Sequence, residues 1–202
     1  VAFIEDLETP GVWSDELAGF TPDSFTFKSG KGFYEIDIKK NLDFIGLKDF
    51  SLSFNGALIK SKVNFKKGTN GIDRPMQGQS PYLINTGLFY NNKKKGWSAA
   101  ILYNRIGKRI IGVGNRYGTA SDGTSRNIPN SYEMPRNSLD LSFGKTFGQW
   151  EIKASAKDLL AEKFVFKQFE TVTINGVEKE ISETTKNYKP GVNLNISVKY
   201  TF

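Results

Sequence analysis

The last eleven residues alternate without a fault, with Val192, Leu194, Ile196, Val198, Tyr200 and Phe202 on one side and Asn193, Asn195, Ser197, Lys199 and Thr201 on the other. Successive side chains of a strand point to opposite faces, whereas a helix would scatter these residues around its circumference. The segment therefore separates its apolar and polar side chains only as an extended strand. The same constraint recurs upstream. Trp150, Ile152, Ala154 and Ala156 oppose Glu151, Lys153, Ser155 and Lys157, while Leu139, Leu141 and Phe143 oppose Asp140, Ser142 and Gly144. Between them Phe147-Gly148-Gln149 is short enough to force an antiparallel hairpin.

Weaker alternation continues toward the N-terminus. Trp97, Ala99, Ile101 and Tyr103 oppose Ser98, Ala100, Leu102 and Asn104, and Tyr82, Ile84, Thr86, Leu88 and Tyr90 oppose Leu83, Asn85, Gly87 and Phe89. The polar stretch 91–96, ending in Gly96, reads as the turn between them. One further strand is expected from about Phe25 to Leu42, with Tyr34, Ile36 and Ile38 opposite Glu35, Asp37 and Lys39. Another runs from Phe50 to Lys62, joined to it through Asp43–Lys48.

The expected strands number seven and run to about ten residues or longer, against five or six in an average soluble strand. At about 3.3 Å per residue and a tilt near 40°, such a strand rises roughly 25–28 Å, the height of an outer-membrane apolar band. Connections alternate in length: short at 43–48, 91–96 and 147–149, long and polar at 5–24, 66–80, 111–134 and 161–189. Transmembrane barrels have short periplasmic turns and long external loops, which puts the chain's end on the periplasmic side. Aromatic residues near strand ends, among them Tyr82, Tyr90, Trp97, Trp150, Tyr200 and Phe202, suit interfacial girdles. The expected fold is all-β, an antiparallel transmembrane β-barrel with apolar side chains toward lipid and polar ones toward the lumen. Periodicity alone is equally compatible with a soluble sandwich or lipocalin-like barrel whose apolar side points inward. Strand length, the turn and loop alternation and the mid-strand charges favour the outward reading.

Composition removes other classes. The chain contains neither cysteine nor histidine, so disulfide scaffolds, cysteine zinc sites and a histidine base are absent. No apolar run approaches the roughly 18 residues of a membrane helix. The net charge of +7 comes from lysines in turns (Lys93, Lys94, Lys95) and on polar strand faces (Lys153, Lys157, Lys199), not interleaved with stacking aromatics. No nucleic-acid partner is expected. Nor is an enzyme, a metal site or a cofactor: acidic pairs such as Glu5-Asp6 lack a nucleophile, and Gly107, Gly112 and Gly114 lack phosphate-loop spacing.

Four segments, Asp73 to Leu88, Leu102 to Ile110, Tyr132 to Leu141 and Lys157 to Leu160, resemble in the same order the late barrel of TonB-dependent outer-membrane receptors. Terminal Tyr200-Thr201-Phe202 is similar to the aromatic signal that outer-membrane barrels present to their assembly machinery, which assigns that role to Tyr200 and Phe202. The resemblance implies a barrel of about 22 strands closed by a plug domain, of which residues 1–202 would be the C-terminal portion, roughly its last seven strands. It implies active uptake of a metal chelate, glycan or peptide across the outer membrane of a gram-negative bacterium. Its partners would be outer-membrane lipid, the assembly machinery, a plug and TonB acting through an N-terminal part, and a surface lipoprotein lid. Ligand or lid contacts are expected in the external loops at Arg116, Tyr117, Asp122, Arg126, Phe166 and Tyr188. Lumen and plug contacts are expected at Glu35, Asp37, Asp140, Glu151 and Lys153. The competing readings are a passive porin-like or enzymatic outer-membrane barrel and a soluble β-sheet binding module.

Overall fold

The computed structural model describes residues 24–30, 32–65, 73–115 and 128–202. Its regular elements are strands: β1 Ser24–Gly30, β2 Phe33–Asn41, β3 Phe50–Ile59, β4 Tyr82–Asn92, β5 Trp97–Ile106, β6 Arg109–Gly112, β7 Ser131–Glu133, β8 Arg136–Phe147, β9 Trp150–Lys157, β10 Phe164–Ile174, β11 Val177–Tyr188 and β12 Asn193–Tyr200. A single 3-10 turn, Asp43–Ile45, lies between β2 and β3. The fold is all-β and antiparallel.

Eight strands form the principal sheet in the order β1-β2-β3-β4-β5-β8-β9-β12. The register puts every strand's apolar side on the same face. One row across the sheet reads Ile38, Phe54, Thr86, Tyr103, Leu139, and another reads Trp97, Lys145, Ile152, Val198. The opposite face carries Asp37, Asn55, Asn85, Asn104 and Ser138 in one row. A slip of one residue in any pairing would turn that strand's apolar set to the polar face, so the pattern itself fixes register. β1 and β12 are the two edges and do not pair with each other, so among the described residues the sheet is open.

The principal sheet has eight strands rather than seven because the segment expected as one strand from Phe25 to Leu42 is a hairpin. It reverses before Phe33, where Gly32 adopts a φ of 93° that only glycine takes without strain. The sequence carried a trace of this: apolar residues sit at odd positions through Phe27 and at even positions from Tyr34, a change of phase that one strand cannot contain. With eight strands, β1 begins on the side where β12 ends.

A second sheet, β11-β10-β7-β6, sits beyond the long-connection ends of the first. Its order repeats that of the strands below it. β5 runs into β6 across Gly107-Lys108, β7 into β8 across Met134-Pro135, β9 toward β10, and β11 toward β12. The pairings β6·β7, β7·β10 and β10·β11 thus continue β5·β8, β8·β9 and β9·β12 past a common break. The stretches 111–134 and 161–189, expected as loops, therefore contain β7, β10, β11 and the end of β6. β6 and β7 are only four and three residues long, too short to show a period, and β11, with the sequence VEKEISETTKNY, is exposed along its whole length. A strand wet on both faces has no reason to alternate.

Candidate functional site

Three surfaces follow from this arrangement: a bare apolar face, a polar face and a charged seam between the sheets. On the apolar face Leu194 and Ile196 are each 76% exposed, and Leu58, Phe143 and Val198 are also exposed. Buried hydrophobic side chains among the described residues are confined to Ile110 and Ala161, both at the seam. Fully burying a Leu or Ile stabilises by roughly 1.5–3 kcal/mol, and on this face, whose side chains are half-buried or exposed, that gain is realised in part at most. Toward the turn end the face carries an aromatic band. Phe50 lies against Tyr90 at 4.8 Å, Trp97 against Phe143 at 5.0 Å and Trp150 against Tyr200 at 4.8 Å between ring centroids.

Tyr200 and Phe202 meet in this band, edge to face at 5.0 Å. The Tyr200 hydroxyl donates to Gln149 Oε1 and the Thr201 amide to the Gln149 carbonyl at 2.9 Å. The terminal aromatics are thus tied to the β8–β9 turn.

Glu35, Asp37, Asp140, Glu151 and Lys153 all fall on the polar face, as expected, but they form no single cluster. Glu151 pairs with Lys153 at 2.7 Å. Asp140 accepts the Asp158 amide at 2.8 Å. Glu35 ends a ladder that sequence reasoning missed: Asn55 Nδ2 donates to Glu35 Oε1 at 3.1 Å, Asn85 to Asn55 at 3.2 Å, and Asn104 to Asn85. Side-chain amides in one row each donate and accept, so the chain of bonds knits β2 to β5 independently of the backbone.

The seam is the densest polar region. Arg109 donates twice, from Nε at 3.0 Å and Nη2 at 2.8 Å, to Oε2 of Glu133, which is only 6% exposed. Arg136 grips both oxygens of Asp158 at 2.9 and 2.8 Å and lies 4.1 Å from the Phe164 ring centroid. Asn137 Oδ1 accepts from the Tyr103 hydroxyl at 2.7 Å and from Arg105 Nη1 at 2.8 Å. Ser80 is buried; its hydroxyl donates to the Tyr82 carbonyl at 2.6 Å and accepts the Gly107 amide at 2.8 Å. Forked guanidinium contacts of this kind need Arg, since a lysine ammonium cannot make them. Asp158 itself holds a φ of 56° at the start of the connector 158–163, a left-handed position that Asp tolerates better than most residues. All four segments that carry the family resemblance converge here, through Ser80 and Tyr82, Arg105 and Arg109, Glu133 to Asn137, and Asp158.

Of the expected loop contacts, Arg116, Tyr117, Asp122 and Arg126 lie outside the described residues. Phe166 and Tyr188 are brought together, their rings stacked at 6.2 Å and 20°. Phe164 covers Tyr188 at 5.0 Å, and Lys186 Nζ lies 5.1 Å from the Tyr188 centroid. With Arg136 on Phe164, the ring faces are taken up by one another and by cations, so this column stiffens the foot of the β10–β11 hairpin. Comparison of the chain with protein-family models, with curated proteins and with solved structures returned no match.

Proposed function

We propose that this chain is the C-terminal β-barrel portion of a TonB-dependent outer-membrane receptor that takes up a nutrient. One observation carries the membrane part of the reading: eight neighbouring antiparallel strands share a continuous apolar face that nothing among the described residues covers. Hydrocarbon is the environment that makes such a face stable, and backbone paired across a sheet is the form that hydrocarbon admits. A soluble sheet of this width would need a second layer over its apolar side. The open edges of β1 and β12 are where remaining strands of a larger barrel would add, since an edge in lipid must be paired. In this reading the turns 42–49, 93–96 and 148–149 face the periplasm, and the second sheet stands outside the membrane.

The transport part rests on the resemblance and on the convergence of its four segments at the seam. Uptake would be driven through a plug and TonB. The polar face with its asparagine ladder would line the lumen.

These 202 residues contain no cysteine, so an introduced thiol is the single one in this portion, and the parent protein without it serves as the labelling blank. Leu194→Cys and Asn195→Cys, introduced singly into the full-length protein in intact cells, expose one thiol on each face. Leu194→Cys should react with a membrane-soluble maleimide and resist a charged one, and Asn195→Cys should do the reverse. Reaction of both with the charged reagent would sink the membrane reading. Growth on candidate nutrients with and without TonB then tests transport, and an uptake phenotype indifferent to TonB would reject the receptor assignment.

A further inference from the structure

We infer that the apolar face carries a binding site for one anionic phospholipid, with its phosphate at Lys145 and an acyl chain in the depression across β5, β8, β9 and β12. The inference rests on the membrane reading above and adds a specific ligand to it.

Lys145 stands on the apolar face, opposite Trp97 on one side and Ile152 on the other. Its ammonium lies 4.0 Å from the Trp97 centroid and donates to the Lys95 carbonyl at 2.6 Å. An ammonium has three donors, and that contact uses one. Exposed Lys93, Lys94 and Lys95 flank it on the adjoining turn, and neither that turn nor the one between β8 and β9 contains an Asp or Glu. Of the acids toward this end, Asp49 on the neighbouring turn accepts from the Asn92 amide at 2.7 Å and is one carboxylate against these four lysines, and Glu151 pairs with Lys153 on the polar face. This corner of the rim is therefore a concentrated positive charge at the edge of an apolar surface, the complement of a phosphate beneath which hydrocarbon begins.

The depression starts one row away from Lys145. Ala99, Phe143, Ala154 and Ile196 form its first row, and Ile101, Leu141, Ala156 and Leu194 its second. Alanine beside phenylalanine and isoleucine leaves a trough whose walls are large apolar side chains, running from the cation toward the middle of the face.

The test uses the full-length protein purified in a mild detergent and examined by native mass spectrometry after addition of phosphatidylglycerol or phosphatidylcholine. Wild type should retain phosphatidylglycerol at least several-fold better than phosphatidylcholine. Lys145→Gln should cut that retention at least several-fold, while Lys157→Gln on the polar face leaves it unchanged. Ala154→Phe should lower retention of both lipids by filling the trough, with heat-modified gel mobility confirming that each variant is folded. Equal retention of the two lipids by wild type, or an unchanged Lys145→Gln variant, overturns the site while leaving the membrane reading intact. A protein that enters neither micelle nor vesicle overturns both.

Discussion

Asn137 holds Glu162 twice, its backbone amide donating to Oε2 at 2.7 Å and its Nδ2 to Oε1 at 2.8 Å. Asn137 is the second residue of β8 and Glu162 lies in the connector between β9 and β10, so this one residue pair clasps the end of the principal sheet to the connector that leads into the second. The clasp is reinforced on either side by Arg136 with Asp158 and by the Leu159 amide on the Leu139 carbonyl at 2.8 Å.

The clasp makes stability depend on pH. The side-chain and backbone hydrogen bonds from Asn137 hold the Glu162 carboxyl below its ordinary value. A depressed carboxylate binds fewer protons folded than unfolded, so its contribution is complete above the unfolded pKa of about 4.3 and is lost as pH falls through the lowered folded value. Thermal unfolding in detergent between pH 7 and pH 3 should show wild type losing stability below about 4.3 more steeply than Glu162→Gln. Parallel curves would exclude Glu162 from the acid transition.

Breaking the Arg109–Glu133 pair from the acidic side should be costly. Removing one partner of a fully buried pair costs about 3–5 kcal/mol, and with a third of the Arg109 side chain open to water about 1–3 kcal/mol is expected for Glu133→Ala. Replacing both residues by alanine should recover part of the loss. The measurement is hydrogen exchange of the β6, β7 and β10 amides, and equal protection in wild type and Glu133→Ala would show that the pair does not hold this sheet.

Gly107 sits where β5 gives way to β6 against the Tyr82 ring. A methyl group there would lie 2.8 Å from the ring and 2.9 Å from Ser80 Oγ, whereas one at Gly112 would meet its nearest neighbour, Ser131 Cβ, at 3.5 Å. Gly107→Ala should therefore cost about 1–3 kcal/mol in urea unfolding through overpacking, with Gly112→Ala close to wild type. Similar costs at the two positions would mean that Tyr82 moves aside freely.

A charge on the apolar face should be penalised by lipid. Leu194→Lys is expected to lose about 2–4 kcal/mol of folding free energy in bilayers if it lies near the midplane, and Asn195→Lys less than about 1 kcal/mol. The reading is the folded fraction in vesicles against urea. Equal penalties on neighbouring residues would contradict the two-faced sheet.

The alternation of Leu194 with Asn195, and of Ile152 with Lys153, determined by itself that these segments are strands and which side chains share a face, because strand geometry has a period of two whatever surrounds it. The short turns likewise carried the hairpins, and the polar placement of Glu35, Asp37, Asp140, Glu151 and Lys153 followed. Partnership across strands was decided only by tertiary structure. Asn55, Asn85 and Asn104 are about 20 to 30 residues apart and become a ladder through register, which depends on every intervening turn. β6 and β7 are too short to show a period and β11 is exposed along its whole length, so no alternation announced them. The same holds for Glu133, Asn137, Asp158 and Glu162, whose partners come from distant strands and whose meeting at the seam is a product of sheet order alone.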